Sequence, residues 1–154
     1  MDINERIKEL NIALPAEPPT PGGKYTPIKH FGDRLLYISG CGPNIRNVTY
    51  EGRLGKEVSI EEGKKAAAAC MMNILRILKA EIEDLNKVKS FVKLLAFVSS
   101  DPDFYSQPSV ADGATELLEL IFGKEIGLPT RSAIGVAVLP GNIPVEIEAI
   151  IELI

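Results

Sequence analysis

The end of the chain constrains the fold more than any other segment, because it holds two strand-like runs separated by a turn signal. Residues 131–138 read Arg-Ser-Ala-Ile-Gly-Val-Ala-Val and residues 145–150 read Val-Glu-Ile-Glu-Ala-Ile, with a Pro-Gly-Asn sequence between them. β-Branched and small residues on both sides of such a turn predict a β-hairpin. The same hairpin carries an arginine and several glutamates among residues that otherwise suit a core strand.

Side chains alternate between the two faces of a strand, so each run can be sorted into faces. Arg131 shares one face with Ala133, Gly135 and Ala137, a row of small residues that leaves space for a ligand. The glutamates of the second run, beginning at Glu146, also share a face. Solvated faces of antiparallel sheets often carry such charges, so this pattern alone favours an ordinary wet surface.

The predicted hairpin register keeps Arg131 away from Glu146. If Val138 pairs with Val145, Arg131 lies opposite Glu152. Six residues at ~3.3 Å each then separate Arg131 from Glu146, close to ~20 Å in all. We therefore expect any site that uses both side chains to draw them from different subunits.

Composition limits the classes of function. The chain has 154 residues, a net charge of −4, no Trp, one His and two Cys. This length suits a single domain with a full core, and the acidic balance argues against a nucleic-acid partner. We find no signal peptide and no apolar run of membrane length, and we expect a cytoplasmic protein. Cys41 and Cys70 occur in unrelated sequence contexts, so a disulfide has no support, and we expect no metal site.

The order of predicted elements is ββαβαββ, preceded by an N-terminal segment. Residues 1–24 form a short helix and a proline-rich arm, and residues 25–154 form the main domain. We predict strands at 25–31 and 35–39, joined by a two-residue Gly32-Asp33 turn. A long helix begins at Ser59 with a capping box to Glu62 and ends near residue 83. A buried strand at 88–99, a second helix at 110–122 and the final hairpin complete the domain.

These elements indicate a single α+β domain with a mixed β-sheet and two helices on one face. The other face of the sheet then stays uncovered. We assign Phe91, Leu95 and Phe97 to that face and Val92 to the core face. An uncovered apolar face of this kind is expected to meet another subunit.

Several short motifs, in order and at matching distances from about Tyr25 to the C-terminus, resemble those of the reactive intermediate deaminase family (Rid, also called YjgF or L-PSP endoribonuclease). The motifs are Gly23-Lys24-Tyr25, residues 37–43, residues 84–88, Asp103-Phe104, Thr130-Arg131-Ser132, Leu139-Pro140 and residues 145–150. Residues 50–56 and 107–114 resemble the branch whose members are called chorismate mutase-like.

The resemblance implies a chorismate mutase-like fold, a homotrimer and three clefts at the subunit interfaces. It also implies hydrolysis of enamine and imine intermediates such as 2-aminoacrylate to a 2-keto acid and ammonia, without a cofactor. Arg131 would bind the substrate carboxylate, because its planar charged fork suits that group. Glu146 would act as general base on the attacking water.

The remaining site residues implied by the resemblance surround the ligand. Tyr25 and Ser39 would form hydrogen bonds to it, Gly40 and Cys41 belong to a loop that offers backbone donors, and Ala133 leaves space beside Arg131. Two positions depart from the usual deaminase pattern. Ala133 stands where active members commonly carry Cys, and Cys41 where a Gln often follows the Ser-Gly pair.

Three other functions remain open at this level. A non-catalytic trimeric protein that binds small carboxylates would use Arg131 equally well. An endoribonuclease, as one family name suggests, fits poorly with the acidic balance and the single histidine. Chorismate mutase activity would need several cations around a dicarboxylate, and Arg131 is the one cation that the resemblance places.

Overall fold

The computed structural model describes residues 1–154 and contains three helices and one mixed five-stranded sheet. The helices are α1 (Ile3–Glu9), α2 (Ile60–Ile82) and α3 (Gln107–Gly127); the strands are β1 (Ile28–Phe31), β2 (Leu35–Cys41), β3 (Val88–Ser99), β4 (Thr130–Val136) and β5 (Val145–Leu153). This confirms the α+β class and the ββαβαββ order. No helix combines the length and the apolar character needed to cross a membrane.

The strand order is β1-β2-β5-β3-β4, so the predicted C-terminal hairpin is wrong. β3 lies between β4 and β5; it pairs in parallel with β4 and antiparallel with β5. The Pro-Gly-Asn turn is present as a short 3-10 turn at Pro140–Asn142. It starts a connection that passes the end of β3 rather than a tight hairpin.

Helix α2 starts as the sequence predicts. Ser59 accepts a hydrogen bond from the Glu62 amide at 3.2 Å, and the Glu62 carboxylate accepts one from the Ser59 amide at 2.8 Å. Its apolar side packs on the sheet together with α3, which confirms that two helices cover one face. Helix α3 is longer than predicted at both ends, because Pro108 fits its first turn and the chain continues past a break at Gly123.

Strand β3 has the predicted bounds, but its first half does not alternate regularly. The pairing with β5 shifts register between Val88 and Ser90 and again between Phe91 and Lys93. Such bulges reverse the facing of the residues beyond them. Phe91 is therefore buried against Phe122, with ring centroids 5.0 Å apart, whereas Val92 is 38% exposed. The predictions for these two residues are wrong, while Leu95 and Phe97 lie half-buried on the open face.

The N-terminal part of the domain also differs in detail. β1 begins at Ile28 rather than Tyr25, because Pro27 has no amide hydrogen to extend the ladder. Phe31 pairs with Leu35, so the turn has three residues instead of two. Helix α1 packs on the main domain through Ile3 and Ile7, which are part of its core.

Candidate functional site

A small cleft of about 170 Å³ lies at the end of β2, between the sheet and the proline-rich arm. Five of the seven residues implied by the resemblance line it: Tyr25, Ser39, Gly40, Cys41 and Glu146. The arm supplies the opposite wall through residues 19–22, and Ile77 of α2 contributes an apolar contact. One chain therefore brings most of the expected residues together from three separate segments.

Glu146 is the carboxylate of this cleft. It lies on β5, on the sheet face opposite the buried Val145 and Ile147. Its carboxylate makes no hydrogen bond or ion pair within the chain. Burial, and to a lesser extent the neighbouring Glu148 carboxylate, raises the pKa of Glu146 above the ordinary glutamate value. A half-buried carboxylate without a partner and with a raised pKa is suited to accept a proton from a bound molecule.

Gly40 gives this carboxylate its place. A Cβ atom at position 40 would lie 2.9 Å from Cδ and 3.2 Å from Oε1 of Glu146. The ladder between β2 and β5 shifts register between Ile38 and Cys41, which turns the Gly40 backbone toward β5. The glutamate side chain therefore lies directly over the glycine.

Cys41 lies beside Glu146 but is chemically quiet. Burial, with a smaller effect of the Glu146 charge, raises the pKa of the Cys41 thiol to about 12. Its Sγ lies 3.5 Å from the Ser39 carbonyl oxygen, to which the thiol donates. Burial also raises the pKa of Cys70. Both cysteines are free thiols.

Tyr25 and Ser39 provide the polar side chains of the cleft. The Tyr25 hydroxyl accepts a hydrogen bond from the Gly22 amide at 3.3 Å, which ties the ring to the arm. The Ser39 amide donates to the Pro27 carbonyl at 2.9 Å, whereas the Ser39 hydroxyl has no partner within the chain. The arm itself is attached to α2 by a 3.0 Å hydrogen bond from Arg76 Nε to the Ala16 carbonyl.

Arg131 and Ala133 are not part of this cleft. Both lie on β4, and Arg131 points toward α3. Its Nη1 donates to the Asp112 carboxylate at 2.8 Å and to the Thr115 hydroxyl at 3.1 Å, and its Nη2 donates to the Pro108 carbonyl at 3.3 Å. Ala133 packs against the edge of the core.

The sheet register separates Arg131 from Glu146 within one chain. Arg131 pairs with Leu94, which in turn pairs with Ala149, so the predicted position opposite Glu152 is wrong. Two strand spacings and three residues along β5 place the Cα atoms about 14 Å apart. Arg131 is on the helix-covered face and Glu146 on the open face, so the two side chains do not meet.

The sequence did not predict the residues that contact Arg131 or lie beside Glu146. The Tyr37 hydroxyl donates to the Glu148 carboxylate at 2.6 Å, beside Glu146. Asp112 and Thr115 hold Arg131 although they lie 19 and 16 residues away in sequence. The sequence indicated the segment containing Asp112 only through its resemblance to one family branch. The ion pair between Asp112 and Arg131 depends on how α3 packs against β4, which local patterns do not specify.

Comparison with known proteins agrees with this fold. The Endoribonuclease L-PSP family matches residues 16–153. Protein TCP17 of Trypanosoma cruzi is 38% identical over 98% of this chain and 94% of its own length. A 2-iminobutanoate/2-iminopropanoate deaminase of Dermatophagoides farinae is 31% identical over 86% of this chain and 88% of its own. The solved structure of Atu1372, a protein of unknown function from Agrobacterium tumefaciens, superposes with a TM-score of 0.88 at 37% identity, over 99% of this chain and 92% of the other.

The α+β fold with a mixed sheet is thus shared with the solved structure of Atu1372. The chain belongs to the Endoribonuclease L-PSP family, which is also known as the Rid or YjgF family.

Proposed function

We propose that this protein is a cofactor-free hydrolytic deaminase of reactive enamine and imine intermediates, of the kind represented by 2-aminoacrylate. The observation that carries the proposal is the unpaired Glu146 carboxylate, with its raised pKa, in a cleft that also holds Tyr25 and Ser39. The deaminase relative supports the reaction class at 31% identity.

The reaction requires the protein to position the substrate and a water molecule and to supply one general base. Water attacks the imine carbon, and Glu146 takes a proton from that water as the C–O bond forms. Glu146 returns this proton to the nitrogen, which gives the neutral carbinolamine. The carboxylate then takes the hydroxyl proton and delivers it to the nitrogen as the C–N bond breaks. Ammonia leaves and the oxygen remains as the carbonyl of the 2-keto acid. The electrons and protons balance with water as the only co-reactant.

The substrate carboxylate requires a cation, and Arg131 is our candidate. Its Nε–H and one Nη2 proton have no partner within the chain, so two donors remain for a carboxylate. Because Arg131 and Glu146 lie on opposite faces of one sheet, a complete site needs Arg131 of one subunit and Glu146 of the next. We propose a homotrimer with the active clefts at its interfaces, and a cytoplasmic location.

The first test is release of keto acid from freshly generated 2-aminoacrylate and 2-aminocrotonate. We expect wild-type protein to exceed the spontaneous rate, and both Arg131→Ala and Glu146→Gln to lose that excess. Arg131→Lys keeps the charge but not the planar fork, and should recover only part of the affinity. If wild-type protein gives no acceleration, the deaminase proposal fails.

Mixing the two inactive variants tests the division of the site between subunits. A site that needs Arg131 from one subunit and Glu146 from its neighbour is complete in about a quarter of the interfaces of a 1:1 mixed trimer. We therefore expect about a quarter of wild-type turnover after the variants are unfolded together and refolded. No recovery, with mixed trimers shown by native mass spectrometry, contradicts the shared site.

A carboxylate-binding protein without catalysis is the second candidate, and the Arg131 donors favour it equally. Removal of Glu146 separates the two functions. A deaminase loses turnover in Glu146→Gln, whereas a binder shows none in either form and retains its affinity for keto acids. Ribonuclease activity is the third and weakest candidate, because a chain with a net charge of −4 has no excess of cations for a phosphate backbone.

A further inference from the structure

The guanidinium group of Arg131 is held by one face of helix α3. Pro108, Asp112 and Thr115 are spaced four and three residues apart, so they line the same side of the helix. Their oxygens accept both Nη1 protons and one Nη2 proton of Arg131. The Thr115 hydroxyl donates to the Asp112 carbonyl at 3.3 Å, which orients its oxygen toward the arginine.

This arrangement fixes which part of the arginine is offered to a ligand. The side chain of Arg131 is only 20% exposed, whereas that of Asp112 is 47% exposed. The Nε–H and one Nη2 proton have no partner within the chain. A carboxylate can accept from these donors without displacing Asp112, since Asp112 accepts from Nη1.

The other cations near Arg131 on this side of the sheet are also paired with carboxylates. Lys64 lies on α2 next to α3, and its Nζ bonds Glu116 at 2.9 Å. Arg53, near the far end of β4, lies 3.6 Å from Asp101. These cations are thus already paired, as Arg131 is. A ligand on the helix-covered face gains directed hydrogen bonds from Arg131 but finds no second free cation among these residues. Lys93, which bonds the Ser132 hydroxyl at 2.6 Å, lies on the opposite face of the sheet.

We propose that Asp112 and Thr115 are positioning residues for Arg131, and that the charge of Asp112 restricts the site to ligands with a single carboxylate. The inference rests on the proposed role of Arg131 in binding the substrate carboxylate. Once the first carboxylate is bound, the single positive charge of Arg131 already faces two negative charges, so a second carboxylate near Asp112 is repelled. We therefore expect monocarboxylic imines to bind better than dicarboxylic ones.

Two substitutions of Asp112 separate its positioning role from its charge. Asp112→Asn keeps an oxygen acceptor for Nη1 and removes the charge, so KM for monocarboxylic substrates should fall about threefold and KM for dicarboxylic ones about tenfold or more. Asp112→Ala removes the acceptor as well, so KM should rise about tenfold for both. In both variants kcat should stay within about twofold of wild type. Thr115→Ser keeps the hydroxyl and should behave as wild type. Thr115→Val removes one acceptor of Arg131, so it should raise KM for both ligand classes, by less than Asp112→Ala does.

Glu116→Gln is the matched control, since it removes one negative charge from the same helix and frees Lys64 rather than Arg131. It should leave the preference for monocarboxylates within about twofold of wild type. The proposal is overturned if Glu116→Gln relaxes the preference as much as Asp112→Asn, or if Asp112→Asn and Asp112→Ala change KM in the same direction.

Ligand-observed NMR with the keto acids themselves gives a readout that does not need turnover. Pyruvate and 2-ketobutyrate represent one carboxylate, and oxaloacetate and 2-ketoglutarate represent two. Absent turnover with the expected binding pattern would reject the deaminase function and keep this inference. Turnover that depends on Arg131, without the expected pattern in the Asp112 variants, would reject only the inference.

Discussion

The carboxyl carbon of Glu146 lies 2.9 Å from the point that a Cβ atom at Gly40 would occupy. The Glu146 side chain therefore occupies the space that any side chain at position 40 would need. Only glycine at position 40 leaves the glutamate in this position. This contact explains why a glycine precedes Cys41 at the end of β2, beside the cleft.

We expect Gly40→Ala to displace the Glu146 carboxylate and to lower turnover by about 100-fold, because small errors in the position of a catalytic group have effects of this size. Because Gly40 acts through the Glu146 base, Gly40→Ala and Glu146→Gln should both keep the wild-type affinity for pyruvate. Steady-state turnover measures the loss, and ligand-observed NMR measures the affinity. Weaker pyruvate binding in Gly40→Ala than in Glu146→Gln would show that Gly40 acts by another route.

The pH dependence of turnover should report the environment of Glu146. The base works when it is ionised, and burial raises its pKa above the ordinary value of 4.5. The acid limb of the kcat/KM profile should therefore lie above pH 4.5. Glu148→Gln removes the smaller cause of the shift and should move this limb to lower pH. A limb that stays in place would exclude Glu146 as the titrating group.

The same shift has a consequence for stability. A carboxyl group with a folded pKa above its unfolded pKa favours the folded state relatively less as pH rises through the folded value. Glu146→Gln removes this effect, so the variant should melt at a higher temperature than wild type at pH 7. The advantage should vanish well below pH 4.5, where the folded and the unfolded chain both carry a neutral side chain at this position. Thermal melts at several pH values test the sign.

Cys41 should be unreactive in the folded protein, although it lines the cleft. With its pKa raised to about 12, the thiolate is scarce at pH 8. Alkylation by iodoacetamide should be at least about three orders of magnitude slower than for a free cysteine. Peptide mapping after labelling, with urea-unfolded protein as the positive control, distinguishes Cys41 from Cys70. Labelling of Cys41 at the rate of a free thiol would contradict the buried environment.

The proline-rich arm should limit the size of the substrate. Pro19, Thr20 and Pro21 separate the 170 Å³ cleft from an adjoining cavity of about 380 Å³. Arg76→Ala removes the hydrogen bond that attaches the arm to α2. We expect this variant to narrow the preference for small imines over a leucine-derived imine by roughly tenfold.

Lys79→Ala is the control for the arm, because it removes a cation from the same helix that makes no side-chain hydrogen bond. It should keep the wild-type preference. Faster proteolysis of the arm in Arg76→Ala would prove that the arm is released. Unchanged selectivity in that protein would show that the arm does not limit the size of the substrate.

Structural features that depend on residues close together in sequence were predicted correctly. The capping box of Ser59 and Glu62, the bounds of β3 and the shared face of the β5 glutamates all follow from local spacing, and all were predicted. The motif resemblance also pointed to five residues that the fold gathers into one cleft, from Tyr25 to Glu146. Where β3 was misread, at Phe91 and Val92, two bulges had broken the alternation, and bulges leave little trace in a single sequence.

The sequence by itself determined most of the secondary structure and the fold class, because propensity, capping and alternation act over a few residues, and the motif resemblance indicated which polar residues line the cleft. Only the tertiary structure decided that β3 separates β4 from β5, that Asp112 holds Arg131, and that Arg131 and Glu146 face opposite sides of the sheet. Strand order depends on which edges pair across distant segments, and a turn signal between two strands specifies only that the chain reverses. The long-range contacts of β3 with both neighbours outweigh that local signal, and so fix where the two charged groups lie.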